Sequence, residues 1–214
     1  LEKTPTDLLN WSLGGMPYGT CDIGGFKSSP KMEMTELLVR WMQVGTFMPL
    51  MRSHSERTQI PRFPWLFEGA EAPIRKALNL RYRLIPMIYS LAHEGHATGA
   101  PIMRPLVMEF PADAHVADCS SQWLLGTGLM AAPILSEGGT REVYLPEDKW
   151  YLFETSDVLE GPQTLQVTAK LDEVPVYVRA GTILPLGPVV QNTSVMPGGP
   201  LDLQIYSGRD ATFT

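Results

Sequence analysis

The residues best suited to chemistry begin in segment 16–26, which reads Met-Pro-Tyr-Gly-Thr-Cys-Asp-Ile-Gly-Gly-Phe. A strand ending at Asp22 would carry that carboxylate out of its carboxyl end. Gly24 and Gly25 would then let the backbone turn sharply, because glycine has no Cβ. Phe26 would lie on the loop just beyond, and α/β barrels place their chemistry at such strand ends. The alternative is a surface turn in which Asp22 only caps the helix that follows.

A second set of polar residues, Arg52 and His54, ends segment 46–54, whose apolar residues predict another short buried strand. Between the two predicted strands, segment 33–45 has apolar residues at helical spacing and ends in a glycine that suits a helix C-terminus. A strand, a helix and a strand make a βαβ unit, whose parallel strands end at the same edge of the sheet. We therefore expect the Asp22 and His54 side chains to converge on one rim, within about 10 Å.

Taken alone, a histidine such as His54 is more often a structural residue than a ligand. An acid, an arginine and a histidine on one rim instead make a polar pocket, which is the usual arrangement of a small-ligand site. The sequence therefore predicts a binding site at Asp22, Arg52 and His54.

Motifs in a family-specific order extend over nearly the whole chain. The first are Pro17-Tyr-x-x-x-Asp22-Ile-Gly-Gly-Phe26, Arg40-Trp-x-Gln-x-Gly45-x-Phe-x-Pro49 and Arg52-x-His54. The later ones are Pro64-Trp65, Leu80-Arg-Tyr-Arg-Leu84, Arg104-Pro105, Glu109-Phe-Pro111, Ala132-Pro133, Val143-Tyr-Leu-Pro146, Trp150-Tyr151 and Pro175-Val-Tyr-Val-Arg-Ala-Gly181. This ordered set resembles glycoside hydrolase family 31, which contains α-glucosidases, α-xylosidases and related transglycosylases.

The resemblance implies an α/β plus all-β fold: the C-terminal part of a (β/α)₈ TIM barrel followed by an antiparallel β-sandwich. We predict barrel residues at 1–124, the proximal sandwich at 125–200, and the start of a truncated distal β domain at 201–214. The chain is expected to be an internal fragment of a longer protein.

The resemblance also assigns roles to the predicted site. Retaining glycosidases use a nucleophile and an acid/base carboxylate about 5 Å apart. In the resembled family both are aspartates on earlier barrel strands, and neither motif occurs here, so we expect no catalytic residue in this chain. Asp22 and His54 match positions that hydrogen-bond the sugar in subsite −1, and Phe26 matches the aromatic wall of the pocket. Arg52 is expected to position the neighbouring carboxylates of this substrate-binding set rather than to touch the sugar directly.

The function implied is that of a retaining α-glycosidase that hydrolyses terminal α-glucosidic bonds of oligosaccharides, with no metal or organic cofactor. Two alternatives stay open within the family, an α-glucosyltransferase and an α-xylosidase. A third belongs to another class: a carbohydrate-binding or structural fragment without chemistry, because both essential carboxylates are absent.

Composition limits the classes of partner. A formal charge of −6 over 214 residues argues against nucleic acid or an anionic membrane surface. No segment has the uninterrupted apolar length that a membrane-spanning helix needs. The two cysteines, Cys21 and Cys119, cannot make a disulfide framework, and each suits a small buried position. The resemblance to family 31 implies an oligosaccharide or α-glucoside as the partner.

The rest of the first half predicts elements that support this site. Segment 53–72 reads as a loop with Trp65 anchoring it on the barrel, and Phe63 stands where the family commonly has an acid. Segment 72–96 has helical periodicity with a kink or break at Pro86. Its end carries two histidines that suit helix capping better than a metal site. Segment 99–110 reads as the last barrel strand.

The second half alternates short strand-like runs with turns, which is typical of an antiparallel sandwich. A short helix is predicted at 113–123. The predicted strands are 129–135, 141–145, 149–154, 163–169, 174–179, 182–186 and 201–206.

Overall fold

A computed structural model describes residues 1–27, 34–195 and 199–213, which form a mainly helical first half and a β-rich second half. The α-helices are α1 (Lys3–Leu13), α2 (Thr35–Thr46), α3 (Glu71–Arg83), α4 (Ile85–Thr98) and the short α5 (Leu106–Glu109). Short 3₁₀ turns occur at Pro64–Leu66, Ala114–Val116 and Thr193–Val195. The strands are β1 (Met103–Pro105), β2 (Trp123–Leu125), β3 (Leu129–Ala131), β4 (Thr140–Leu145), β5 (Lys149–Leu152), β6 (Val158–Glu160), β7 (Gln163–Thr168), β8 (Val176–Arg179), β9 (Thr182–Leu186) and β10 (Asp202–Tyr206).

Helix α2 is buried from Leu38 to its end and forms the centre of the first half. The predicted start at residue 33 lies outside the described residues. The predicted end at Gly45 is wrong by one residue, because the helix continues to Thr46. Gly45 serves close packing instead: a Cβ built there would lie 2.3 Å from Cδ1 of Ile23. The glycine therefore lets the segment that follows Asp22 lie directly against the helix.

The predicted break in segment 72–96 is confirmed. Helix α3 ends at Arg83 and α4 begins at Ile85, with Pro86 in the first turn of α4. Proline is tolerated there because the first amides of a helix have no intrahelical partner. At the other end, Gly99 closes α4 with a left-handed φ of 81°. His93 and His96 are exposed near that end.

The antiparallel sandwich is confirmed. A six-stranded sheet has the order β1-β2-β3-β8-β5-β6, and β4 pairs with β7 in a second layer. One face of the six-stranded sheet, with Leu124, Met130, Trp150 and Tyr177, packs on the β4–β7 layer and forms the sandwich core. The other face packs on α2, α4 and β9 and forms the helix–sheet core, whose buried members include Phe47, Met87, Leu91, Trp123, Leu125, Val178 and Leu184.

The predicted barrel strand at 99–110 is wrong. Only Met103–Pro105 is a strand, and it pairs antiparallel with β2 at the edge of the six-stranded sheet. The following residues turn into α5, and Arg104 Nη1 pairs with Glu109 Oε1 at 3.2 Å. The predicted helix at 113–123 is wrong: only Ala114–Val116 is helical, as a 3₁₀ turn. Trp123, the last residue of the predicted helix, belongs to β2.

The final strand, β10, pairs with β9 in register from Asp202 to Tyr206. Tyr206 also joins the helix–sheet core. Segment 201–206 is therefore attached to the preceding β region through backbone hydrogen bonds and burial.

The two strands predicted before Asp22 and before His54 are reduced to one parallel bridge between Ile23 and Ser53. Pro17 and Pro49 have no amide hydrogen to give to a ladder. The described residues contain no further segment paired with either one, so no closed barrel is present in them. No helix within the described ranges is long and apolar enough to cross a membrane.

A hydrogen bond from Tyr144 stabilises Asp113 in the sandwich and gives a pH-dependent prediction. Tyr144 Oη donates to Asp113 Oδ2 at 2.7 Å, and this bond is the main cause that lowers the pKa of Asp113. A carboxylate with a lowered pKa in the folded state stabilises the fold above its unfolded pKa, about 3.9, and this contribution is lost as the pH falls through the folded pKa. Tyr144→Phe should therefore cost about 1 kcal/mol of unfolding free energy at pH 7, and less near pH 3.

The matched control is Tyr206→Phe, because Tyr206 Oη donates to the neutral amide oxygen of Gln204 at 3.0 Å. Urea unfolding at both pH values measures the two differences. A Tyr144→Phe loss that is equal at pH 7 and pH 3 would contradict the assignment.

Candidate functional site

The candidate site is built on the parallel bridge between Ile23 and Ser53. The amide of Ile23 donates to the Arg52 carbonyl at 3.0 Å, and the amide of His54 donates to the Ile23 carbonyl at 3.4 Å. Successive residues of an extended chain point to opposite sides. The fully buried Ile23 points into the protein against α2, so its neighbour Asp22 and the flanking Arg52 and His54 share the other side.

The acid and the arginine of the predicted site form an ion pair. Arg52 Nη2 donates directly to Asp22 Oδ1, with 62% of the arginine side chain and 27% of the carboxylate side chain exposed. An ion pair this accessible contributes at most about 1 kcal/mol to stability. The pair matters less for stability than for binding. The carboxylate offers hydrogen-bond acceptors and the guanidinium offers donors to a hydroxylated ligand at the surface.

The two ring residues of the predicted site also meet. Phe26 and His54 stack with ring centroids 5.6 Å apart and planes 28° from parallel. Both side chains are exposed, and the Phe26 carbonyl accepts from the Glu56 amide at 3.0 Å. The structure thus brings all four predicted residues together as two contacting pairs beside one bridge. Their role in binding sugar stays a prediction.

Arg62, which the sequence did not single out, holds the turn between these pairs. Its buried side chain donates from Nε to the Gly24 carbonyl at 2.9 Å and from Nη2 to the Gly25 carbonyl at 3.0 Å. A third bond goes from Nη1 to the Ile60 carbonyl. Burial lowers the pKa of this guanidinium. No sequence pattern could identify these contacts, because all three acceptors are main-chain carbonyls.

Arg81 on α3 supports the other half of the site in the same way. Its guanidinium donates to the carbonyl of Thr46 at 3.2 Å, to that of Pro49 at 2.8 Å, and to that of Met48. Burial lowers the pKa of Arg81 to about 10. These bonds fix the turn that leads from α2 toward Arg52.

An open groove of about 760 Å³ adjoins the candidate site. His54 and Phe63 line one part of it, and Arg81 and Tyr82 line another. The prediction that Trp65 anchors its loop is wrong: the side chain is 69% exposed and stacks on Phe63, with centroids 4.9 Å apart. Phe63, at a position where the family commonly has an acid, therefore stacks on the Trp65 ring.

The two cysteines are free, and burial disfavours their charged thiolate form. Burial raises the pKa of the Cys21 thiol to about 12, and burial also raises the pKa of Cys119. A thiol that stays protonated is a poor nucleophile. Within residues 1–27, 34–195 and 199–213 there is no group of three or more histidine, cysteine or acidic residues that could hold a metal ion.

Two family profiles match the chain in sequence order. Residues 1–91 match the glycosyl hydrolases family 31 TIM-barrel domain, and residues 99–184 match the glycosyl hydrolase family 31 C-terminal domain. The gap between the two matches, residues 92–98, is the second half of α4, just before the structure changes from helices to the antiparallel sheet.

Known proteins resemble the chain over nearly its whole length. The alpha-xylosidase of Saccharolobus solfataricus is 40% identical over 210 residues, which are 96% of this chain and 28% of that protein. Alpha-glucosidase 2 of Bacillus thermoamyloliquefaciens is 37% identical over 209 residues, 96% of this chain and 26% of that protein. A solved family 31 dextranase of Flavobacterium johnsoniae, complexed with isomaltotriose, superposes with a TM-score of 0.89 at 39% identity, over 94% of this chain and 25% of that one.

This chain thus spans between a quarter and three tenths of the length of these relatives. The order of the two matched domains is the order of the predicted barrel part and sandwich. Together, the two profiles, the relatives and the superposition show that the chain belongs to glycosyl hydrolase family 31.

Proposed function

We propose that this chain is part of a retaining α-glycosidase that hydrolyses terminal α-glucosidic bonds, and that residues of this chain bind the sugar. The observation that carries the proposal is the convergence of Asp22, Phe26, Arg52 and His54 into two contacting pairs beside one bridge. In a family 31 chain, Asp22, Phe26 and His54 match positions that contact the sugar, and Arg52 orients the carboxylate beside them.

Each residue has a distinct part in this proposal. Asp22 accepts hydrogen bonds from sugar hydroxyls, and Arg52 fixes the orientation of its carboxylate through their ion pair. His54 bonds a hydroxyl from the next position, and Phe26 offers the outer face of its ring to the C–H surface of the sugar. Groups preset in this way stabilise the oxocarbenium-like transition state, because they need not reorganise when charge develops.

The proposed partner is an α-glucoside or oligosaccharide, and the residues named here need no cofactor for this task. Two relatives, an alpha-xylosidase and a dextranase, favour a second candidate within the same mechanism, an α-xylosidase or a glucanase. The side chains that choose between glucose and xylose contact the exocyclic CH₂OH group. Comparing p-nitrophenyl α-glucoside with p-nitrophenyl α-xyloside as substrates separates the candidates. Incubation with maltose tests for transfer, since a transferase makes longer oligosaccharides as its main products whereas a hydrolase releases mainly glucose.

We also propose a domain division. The barrel part ends before β1, earlier than the predicted limit at residue 124, since β1 pairs with β2 in the antiparallel sheet. The sandwich then extends through β10, which pairs with β9. Residues from 207 onward are left for the predicted distal domain.

The proposal is tested in an extended protein, in which this chain follows the barrel residues that precede the matched region in its relatives. His54→Ala should lower kcat/KM for p-nitrophenyl α-glucoside at least tenfold, about 1.4 kcal/mol of transition-state stabilisation, because a preset donor or acceptor to the sugar is lost. Initial-rate kinetics measure the effect.

The matched control is His93→Ala, which removes an exposed histidine from α4. Its kcat/KM should stay within twofold of the wild-type value. An unchanged kcat/KM in His54→Ala would count against a sugar contact at this position.

A further inference from the structure

The loop that carries Asp22 and Phe26 contains two consecutive glycines with left-handed backbone angles. Gly24 has φ of 93° and Gly25 has φ of 71°. Glycine reaches such angles without steric cost, but it also has the widest choice of other conformations. The sharp turn after Asp22 therefore does not hold its own shape. Among the described residues of this loop, the turn is closed by one main-chain bond, from the Gly25 amide to the Asp22 carbonyl at 3.0 Å.

Arg62 supplies the contacts that the glycines lack. Its guanidinium contacts both glycine carbonyls, and two bonds from one rigid planar group fix two successive peptide planes. The fit extends to the aliphatic part of the side chain, since a Cβ at Gly24 would lie 2.8 Å from Cδ of Arg62. Only a glycine allows the arginine to lie this close.

The burial of the Arg62 guanidinium carries a free-energy cost. The side chain is buried, and no carboxylate of the described residues forms an ion pair with it. A buried charge without a counter-ion carries a desolvation cost that hydrogen bonds to carbonyls only partly offset. At position 63 the chain has phenylalanine, so the residue next to Arg62 brings no negative charge either. Such an arrangement specifies a conformation more than it adds stability.

We propose that Arg62 is a positioning residue, which sets the distance and orientation between the Asp22 carboxylate and the Phe26 ring by holding the Gly24 and Gly25 carbonyls. With the turn held in this way, Asp22 forms its ion pair with Arg52, and Phe26 stacks on His54. The effect on the reaction rests on the function proposed above, whereas the effect on the loop does not. The two are therefore measured separately.

The first measurement is amide hydrogen exchange in the 214-residue chain. Arg62→Ala should raise the exchange rates of the Gly25 and Glu56 amides at least tenfold, because these amides bond within and across the glycine turn. Arg62→Lys, which can reach one carbonyl, should give an intermediate increase. The matched control is Arg40→Ala, which removes another buried arginine. Arg40 bonds the carbonyls of Ala169, Lys170 and Glu173 in the sandwich, so its loss should leave the Gly25 and Glu56 amides unchanged.

The second measurement is kcat/KM of the extended protein with p-nitrophenyl α-glucoside. Arg62→Ala should lower it at least tenfold, and Arg62→Lys should recover part of the loss. Arg40→Ala should lower the unfolding midpoint without a tenfold loss of kcat/KM, which separates positioning from general stability. Equal exchange rates in wild type and Arg62→Ala, or a kcat/KM within twofold of wild type, would overturn the inference. An inactive wild-type extended protein would instead overturn the proposed function, while the exchange result still decides the role of Arg62 in the loop.

Discussion

The purified 214-residue chain should release no measurable p-nitrophenol from p-nitrophenyl α-glucoside under conditions in which the extended protein turns the substrate over. In the proposed retaining mechanism, one carboxylate forms a covalent glycosyl-enzyme and a second protonates the leaving group. Both are expected on barrel strands before residue 1. Removing a covalent nucleophile alone typically lowers kcat by about 10⁴-fold or more, so loss of both groups should bring the rate to the uncatalysed level.

Asp22 is the carboxylate of the chain that comes nearest to a substitute, and its surroundings argue against that role. Its Oδ1 is bound to Arg52, and the residue stands beside the ring wall made by Phe26 and His54. In the proposed role, this carboxylate neutralises a guanidinium and bonds hydroxyls at the side of the sugar, so it would not lie beneath the anomeric carbon. It therefore cannot form the covalent intermediate.

The assay compares equal molar amounts of chain and extended protein. Far-ultraviolet circular dichroism establishes that the chain is folded, so that inactivity is not the result of unfolding. The decisive outcome against this prediction is turnover by the chain within tenfold of the extended protein. The catalytic carboxylates would then lie among these 214 residues.

The strands of the sandwich were predictable where one face of a strand is exposed. In β7, Leu165 and Val167 alternate with polar residues because one side packs on the sandwich core and the other meets water. The alternation of apolar and polar residues is then visible in the sequence. Strands β4, β9 and β10 were found by the same signal or by the turns that bound them.

Short strands buried on both faces gave no such signal. Strand β2 has Trp123 and Leu125 in the helix–sheet core and Leu124 in the sandwich core, so all three residues are apolar. Three apolar residues are equally compatible with the end of a helix, so the sequence predicts a helix over 113–123 and no strand at 123–125. Strand β1 was assigned to the barrel for a related reason: a buried run does not indicate which sheet, or which direction of pairing, its backbone will adopt.

Some residues of the candidate site can be predicted from the sequence and others cannot. Side chains that act through their own functional groups, such as Asp22 and His54, have recognisable types and spacing. Arg62 and Arg81 act on main-chain carbonyls, which every residue has, so nothing at the acceptor positions distinguishes them. Their contribution appears only when loops distant in sequence are placed side by side.

Trp123→Ala should be strongly destabilising, with an expected loss of about 4 kcal/mol in the free energy of unfolding. The Trp123 side chain is fully buried in the helix–sheet core, where it contributes to the packing of the six-stranded sheet on the helices. Its Nε1 donates to the carbonyl of Phe47 at 2.9 Å, just after α2. The substitution leaves both a cavity and a buried carbonyl without its donor, and each of these carries a cost.

Urea unfolding, monitored by circular dichroism, measures this loss, and Trp123→Phe separates its two parts. Phenylalanine keeps most of the apolar volume but cannot donate to Phe47, so we expect a smaller loss of about 1–2 kcal/mol. Trp150→Ala is the matched control within the sandwich core, since Trp150 is equally buried and its Nε1 donates to the Pro146 carbonyl at 2.9 Å. If Trp123 joins the helices to the sheet, only Trp123→Ala should lower the protection of amides in α2 and α4 well below that of amides in β4 and β7. A loss under 1 kcal/mol, or equal effects of both alanine substitutions on the helical amides, would show that the two halves are held together by other contacts.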